Sequence, residues 1–196
     1  MSLGDRFRRR PDTQACAACG TRLVANATYC HACGVRIDDP DAQPLHVVDR
    51  VTGLFNDRFV RPVLEDELAR SFRYGRALGV LLLEADGAPG EPGDQDKTLQ
   101  AMAGAVAGTL RDVDTPGVLA HRPPSILALL PDTDMTGTAH AAQRVLASTS
   151  EALAPLQRRP LIGIVCVTWS QRLRAGAVIE AAGRALRSGR PELLGR

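Results

Sequence analysis

The sequence predicts an α+β domain built on a central antiparallel sheet, preceded by a small metal-binding unit. Three observations carry this prediction. Four of the five cysteines fall between Cys16 and Cys33, in two Cys-x-x-Cys pairs. From His46 onward, apolar runs of strand length alternate with stretches whose apolar residues recur at helical spacing. The 196 residues suffice for one domain and an appendage, since a single core usually takes about 100 to 200 residues.

Residues 1–13 carry Arg6, Arg8, Arg9 and Arg10 with no apolar segment behind them. They are expected to form a disordered, solvated basic tail, not a secretory signal. Residues 14–37 contain "CAACGTRLVANATYCHACG". Each Cys-x-x-Cys pair can turn two sulfurs toward one metal, and Gly20 and Gly34 follow where a positive φ swings backbone amides toward the thiolates. Cys16, Cys19, Cys30 and Cys33 are therefore the expected ligands of one structural Zn²⁺ per chain. An S₄ site of this kind is closed, leaving no position for water or substrate. Disulfides are the alternative, but a cytosolic chain keeps its thiols reduced. The stretch resembles the short zinc ribbons found at the ends of many bacterial proteins. His31 lies inside the second pair, where four thiolates already complete the shell. Cys166, within "LIGIVCV", reads as a buried small side chain and not a nucleophile.

Residues 38–45, rich in proline and acid, read as a linker. The second domain, residues 46–196, opens with a helix on which Phe59, Val63, Leu64, Leu68 and Phe72 recur, capped by Asn56 or Asp57. "LGVLLLEAD", Leu78 to Asp86, suits a buried strand. Leu99, Met102, Ala103, Val106 and Leu110 mark a helix that should end before Pro116. Two short strands, Val118 to Ala120 and Ile126 to Leu130, flank a turn at Pro123 and Pro124. Ala139, Ala142, Val145 and Leu146 mark a third helix, Leu161 to Val167 a last strand, and Val178 to Leu186 a last helix. With the leading helix set aside, the order is that of the ferredoxin-like βαββαβ fold, which packs helices on one face of an antiparallel sheet.

Composition excludes several classes. No apolar run approaches the roughly 20 residues needed to cross a bilayer, so a cytoplasmic location is expected. The net charge is only +2, and Arg22 and Arg36 with the tail make a thin basic patch, which argues against nucleic-acid binding by the ribbon. Lys97 is the only lysine among the 24 basic residues, which fits codon bias better than selection for phosphate clamps.

"DRVTGLFNDRF", Asp49 to Phe59, resembles the opening signature of GGDEF domains, the bacterial diguanylate cyclases: Asp-x-Leu-Thr-Gly-Leu-x-Asn-Arg-Arg. Only Val51 and Asp57 depart from it. "LLLEAD", "ILALLPDTD" and "AAGRALRSGR" resemble later elements of the same family, in the same order. The resemblance implies a GGDEF-type α+β fold over Leu45 to Arg196. In active relatives, a symmetric dimer condenses two GTP molecules to cyclic di-GMP on metal ions held by carboxylates from the first strand and the Gly-Gly-Asp/Glu-Glu-Phe turn. On that pattern Glu84 and Asp86 stand at the first-strand metal positions. Arg122, Pro123, Pro124 and Ser125 stand where the turn needs Gly, Gly, Asp and Glu. Both glycines and both acids are gone, and two prolines lack the amides that could meet a phosphate. The asparagine that contacts guanine has no counterpart, and Arg187-Ser188-Gly189 replaces the segment with the family's lysine.

The resemblance thus implies a degenerate cyclase, not an enzyme: a signalling or regulatory interaction module for a protein partner, with self-association as one mode. The family also carries an Arg-x-x-Asp motif that binds cyclic di-GMP. Arg111 and Asp114 have that spacing, as do Arg9/Asp12 and Arg36/Asp39 outside the domain. A cyclic di-GMP receptor is therefore the alternative, and its bland counterpart is a helix-terminating Arg111 followed by a loop-starting Asp114.

Overall fold

The computed structural model describes residues 15–16, 21–38, 46–86, 93–120 and 123–195. The tail, residues 39–45 of the linker, Cys19 and Arg122 lie outside them. The chain divides into two compact units, Met1–His46 and Val47–Arg196.

The first unit has a core of cysteine. Cys16, Cys30, Cys33 and Val35 are buried, with Leu23 packed against them. Antiparallel bridges join Ala15 to Arg22 and Tyr29 to Arg36, so each described cysteine pair end sits beside a tight turn. In the second turn the amide of Gly34 donates to the Cys30 carbonyl at 2.8 Å, with Gly34 at φ 70°. A side chain with a Cβ would be strained there.

The second unit runs α1 (Asp57–Tyr74), β1 (Leu78–Ala85), α2 (Asp94–Thr109), β2 (Thr115–Leu119), β3 (Ser125–Pro131), α3 (Met135–Leu153), a 3₁₀ turn (Ala154–Leu156), β4 (Pro160–Val167), α4 (Ala175–Ser188) and β5 (Glu192–Leu194). The open sheet has the order β2-β3-β1-β4-β5. The α+β class and the βαββαβ order are as expected. Two particulars differ. β5 pairs parallel to β4, so the sheet is mixed and not wholly antiparallel. Three residues carry too little pattern to be read as a strand.

Helices also cover both faces of the sheet, not one. Leu78, Val80 and Leu82 join a core with α1 and α4, while Leu81 and Leu83 join another with α2 and α3. Successive side chains on a strand point to opposite faces, so a strand covered on both reads as an unbroken apolar run. The Phe72 expectation fails as well. The buried stripe of α1 is Val60, Leu64, Leu68 and Ser71, and Phe72 is 48% exposed. β2 starts at Thr115 and includes Pro116, which an edge strand tolerates because one side needs no ladder donor.

"DRVTGLFN" is built as a scaffold. The Asp49 carboxylate accepts from the amides of Val51 and Thr52 and from the Thr52 hydroxyl at 2.8–3.1 Å. Gly53 takes φ 73° and donates to the Asp49 carbonyl at 2.9 Å. Phe55 then docks on edge strand β2, accepting from the Val118 amide at 2.7 Å, and the Asn56 side chain caps α1 through the Phe59 amide. Asp49, Thr52 and Asn56 therefore each hold the local backbone in place. On the same face of the sheet, the Glu65 carboxylate of α1 accepts from the Ala175 amide at 2.9 Å and caps α4 in turn.

α4 sits very close to β4 at Gly163, where a Cβ would overlap the Ala182 carbonyl and lie 2.8 Å from the Leu186 amide. Helix backbone cannot swing aside as a side-chain end can. Gly163→Ala should therefore lower unfolding free energy by about 1–3 kcal/mol, measured by urea denaturation; an unchanged midpoint would contradict this packing.

Candidate functional site

Three places could carry function. The first is the cysteine cluster. The ligand atoms of Cys16, Cys30 and Cys33 all lie within 4.8 Å of one another, and all three residues are buried. The Cys16 and Cys33 sulfurs are 3.7 Å apart. Four thiolates about 2.3 Å from a tetrahedral ion would stand about 3.8 Å from each other, so the spacing fits a zinc shell. The fourth expected ligand, Cys19, falls among the undescribed residues. Sulfur chemistry and this geometry favour a soft or borderline ion over magnesium or calcium.

The second place is the end of β1, where the resemblance puts the metal. Among the described residues the acids there form no group whose ligand atoms gather as the cysteine sulfurs do. Asp86 is committed locally. One carboxylate oxygen accepts from the Arg159 amide at 3.0 Å, and its own amide donates to the Arg159 carbonyl at 2.8 Å.

Arg158 then reaches across. One guanidinium nitrogen donates to the Asp86 carbonyl at 3.3 Å, and the other donates to the Asp94 carboxylate at 2.9 Å in the first turn of α2. The Arg158 side chain is only 16% exposed and that of Asp94 32%, so the pair is partly withdrawn from water. The guanidinium thus bridges the strand end and α2, its charge paired with Asp94.

A small cavity of about 70 Å³ lies beside this clasp, walled by Ala85, Leu99 and Met102 and by Pro123 and Pro124 from the turn, with Arg158 at its polar side. Ala85 and not Glu84 lines it. Glu84 is half-buried and pairs across the sheet with Leu161. Ser125 is fully buried in register with Leu119. The described part of the turn thus offers two pyrrolidine rings and a buried hydroxyl.

The third place lies at the opposite end of β1. Arg111 lines a groove of about 630 Å³ with Arg70, Arg76 and Tyr74 of the α1 end and with Asp132 after β3. Asp114 is not among the lining residues. Its carboxylate accepts from the Arg111 amide at 2.9 Å, while its own amide donates to the Arg111 carbonyl at 3.0 Å. The Arg-x-x-Asp pair closes a turn on itself after α2, and only the arginine faces the groove.

Cys166 is 2% exposed, and burial, reinforced by the negative charge of Asp134, pushes its thiol above the ordinary value. Burial of this kind disfavours the thiolate. Sequence reasoning missed Arg158 and Asp94. The two are 64 residues apart, and nothing in either local pattern announces a partner.

No family model and no curated protein matches the chain. Among solved structures, the FimX GGDEF domain from Pseudomonas aeruginosa aligns with TM-score 0.63 at 17% identity, covering 76% of this chain and 98% of that one. The GGDEF domain with coiled coil of DgcB from Caulobacter crescentus, solved with c-di-GMP, gives 0.62 at 16% over 75% and 84%. The diguanylate cyclase SiaD from Pseudomonas aeruginosa, solved with its activator SiaC, gives 0.61 at 23% over 76% of this chain. This chain spans 61% of the SiaD chain. The fold of the second unit is GGDEF-like.

Arg158→Met keeps much of the stem but removes the charge, leaving Asp94 without its ion pair. It should cost about 1–2 kcal/mol in thermal or urea unfolding at neutral pH, between the values for exposed and buried pairs. The loss should shrink in the Asp94→Asn background, and equal costs in both backgrounds would refute the clasp.

Proposed function

We propose that this chain is a non-catalytic signalling module: a zinc ribbon over residues 14–37, a linker, and a GGDEF-like domain over residues 46–196 that regulates through a protein partner instead of making cyclic di-GMP. The observation that carries this reading is the Arg158 clasp. Phosphoryl transfer needs divalent ions that bridge phosphate oxygens. Here a guanidinium occupies the strand end, joined to the Asp86 carbonyl and paired with the Asp94 carboxylate. The turn that would supply the remaining acids contributes Pro123, Pro124 and Ser125. Zinc-loaded protein incubated with GTP and Mg²⁺ or Mn²⁺ should form no cyclic di-GMP. Turnover that disappears in Glu84→Ala would overturn the reading.

The three gathered sulfurs, at the spacing of a tetrahedral shell, support zinc as the bound ion of the ribbon, with Cys19 as fourth ligand. Metal analysis should give about one zinc per chain, lost together with the fold of the ribbon on chelation. Protein free of zinc with its cysteines oxidised would refute the site.

A second reading, a receptor for cyclic di-GMP, draws support from Arg111, whose groove also gathers Arg70 and Arg76. Against it stands Asp114, whose carboxylate is engaged by the Arg111 amide and is turned from the groove. No helix among the described residues is long and apolar enough to cross a membrane.

A further inference from the structure

We infer that the groove at the start of β1 docks an acidic segment of a partner protein that carries apolar anchors. The inference rests on the non-catalytic reading above and says where, and to what chemistry, the module binds. Arg70, Arg76 and Arg111 line the groove with Tyr74, over whose ring Arg73 lies at 5.4 Å. Glu67 and Asp132 are the acids that line it, so guanidiniums outnumber carboxylates.

The existing pairs are easily exchanged. Arg70 pairs with Glu67, and Arg76 with Asp132, while both arginine side chains stay more than 60% exposed. Arg76 and Asp132 are both more than half exposed, and such a pair is weak enough for an incoming carboxylate to replace the internal one. The Arg111 guanidinium has no carboxylate partner among the described residues.

Apolar surface completes the site. Tyr74 is 61% exposed and Val113 67%, and both line the groove with Ala77 and Pro131. Trp169, 50% exposed, stands within 4 Å of where a Cβ on Gly75 would lie, directly after Tyr74. Arginine and aromatic residues without lysine are the composition of a protein interface. The volume of about 630 Å³ falls within the roughly 300–1,000 Å³ of sites that take a compact ligand or a few side chains. A peptide fits this chemistry better than a nucleotide does. One face of Tyr74 is already taken by Arg73, and Asp114 is not turned toward the groove to accept from a base.

The test is fluorescence anisotropy of a fluorescein-labelled peptide of Glu-Glu-Leu-Phe repeats, titrated with the full zinc-loaded chain. Binding should saturate, weaken as salt is raised, and fall roughly tenfold in Arg111→Glu and in Val113→Asp. Arg190→Glu, beyond α4, should leave it unchanged. The proposal is overturned by an absence of saturable binding, by equal binding of a Lys-Lys-Leu-Phe peptide, or by binding that Arg111→Glu does not alter. Cyclic di-GMP that binds and is lost in Arg111→Glu would give the groove to a nucleotide and overturn the proposal while leaving the non-catalytic reading intact. GTP turnover would sink that reading instead, so the two failures are distinct.

Discussion

β1 is paired on both edges and buried on both faces, and the second unit is arranged around that constraint. Leu78, Val80, Leu81 and Leu83 are each at most 1% exposed. With β3 on one side and β4 on the other, all the strand's backbone groups can be satisfied within the sheet. Its side chains alternate between two cores and require helices above and below. Each residue buried there contributes on the order of 1.5–3 kcal/mol of transfer free energy. The ends of such a strand are where polar chemistry can start, because only there does the chain leave the core. Both candidate sites of the second unit lie at those ends.

At one end, charge is settled internally. Asp86 closes a two-way backbone pairing with Arg159, and Arg158 spans from that strand end to the first turn of α2. The clasp thus ties β4, β1 and α2 together beside the proline turn. At the other end the charges are exposed and loosely paired, and large apolar side chains stand out from the surface. The physical contrast between the two ends favours recognition at the second and closure at the first.

Much of the fold was legible in the sequence because β1, β3 and β4 are continuous apolar runs and Asn56 and Pro116 mark boundaries that local sterics enforce. The expectation of helices on one face was wrong, although the unbroken run "VLLL" carries the sign of two-sided burial in its lack of alternation. β5 was not legible, since three residues held by one parallel partner leave no period to read. The motif that pointed to the family proved to be a turn and a cap. Asp49, Thr52, Gly53 and Asn56 fold the chain onto edge strand β2, and their presence is independent of catalysis. The gathering of Cys16, Cys30 and Cys33 was legible because a Cys-x-x-Cys turn is local. The Arg158 clasp was not, because a pairing 64 residues apart depends on the sheet being formed first.

The relation between these parts is a GGDEF-like scaffold whose strand end is bridged to α2 by an internal ion pair. The most direct measurement is calorimetric titration of Mn²⁺, with and without GTP, into the zinc-loaded protein. The guanidinium at the β1 end should leave no divalent site, giving only heats of dilution in both cases. Stoichiometric Mn²⁺·GTP binding that Glu84→Ala abolishes would contradict it.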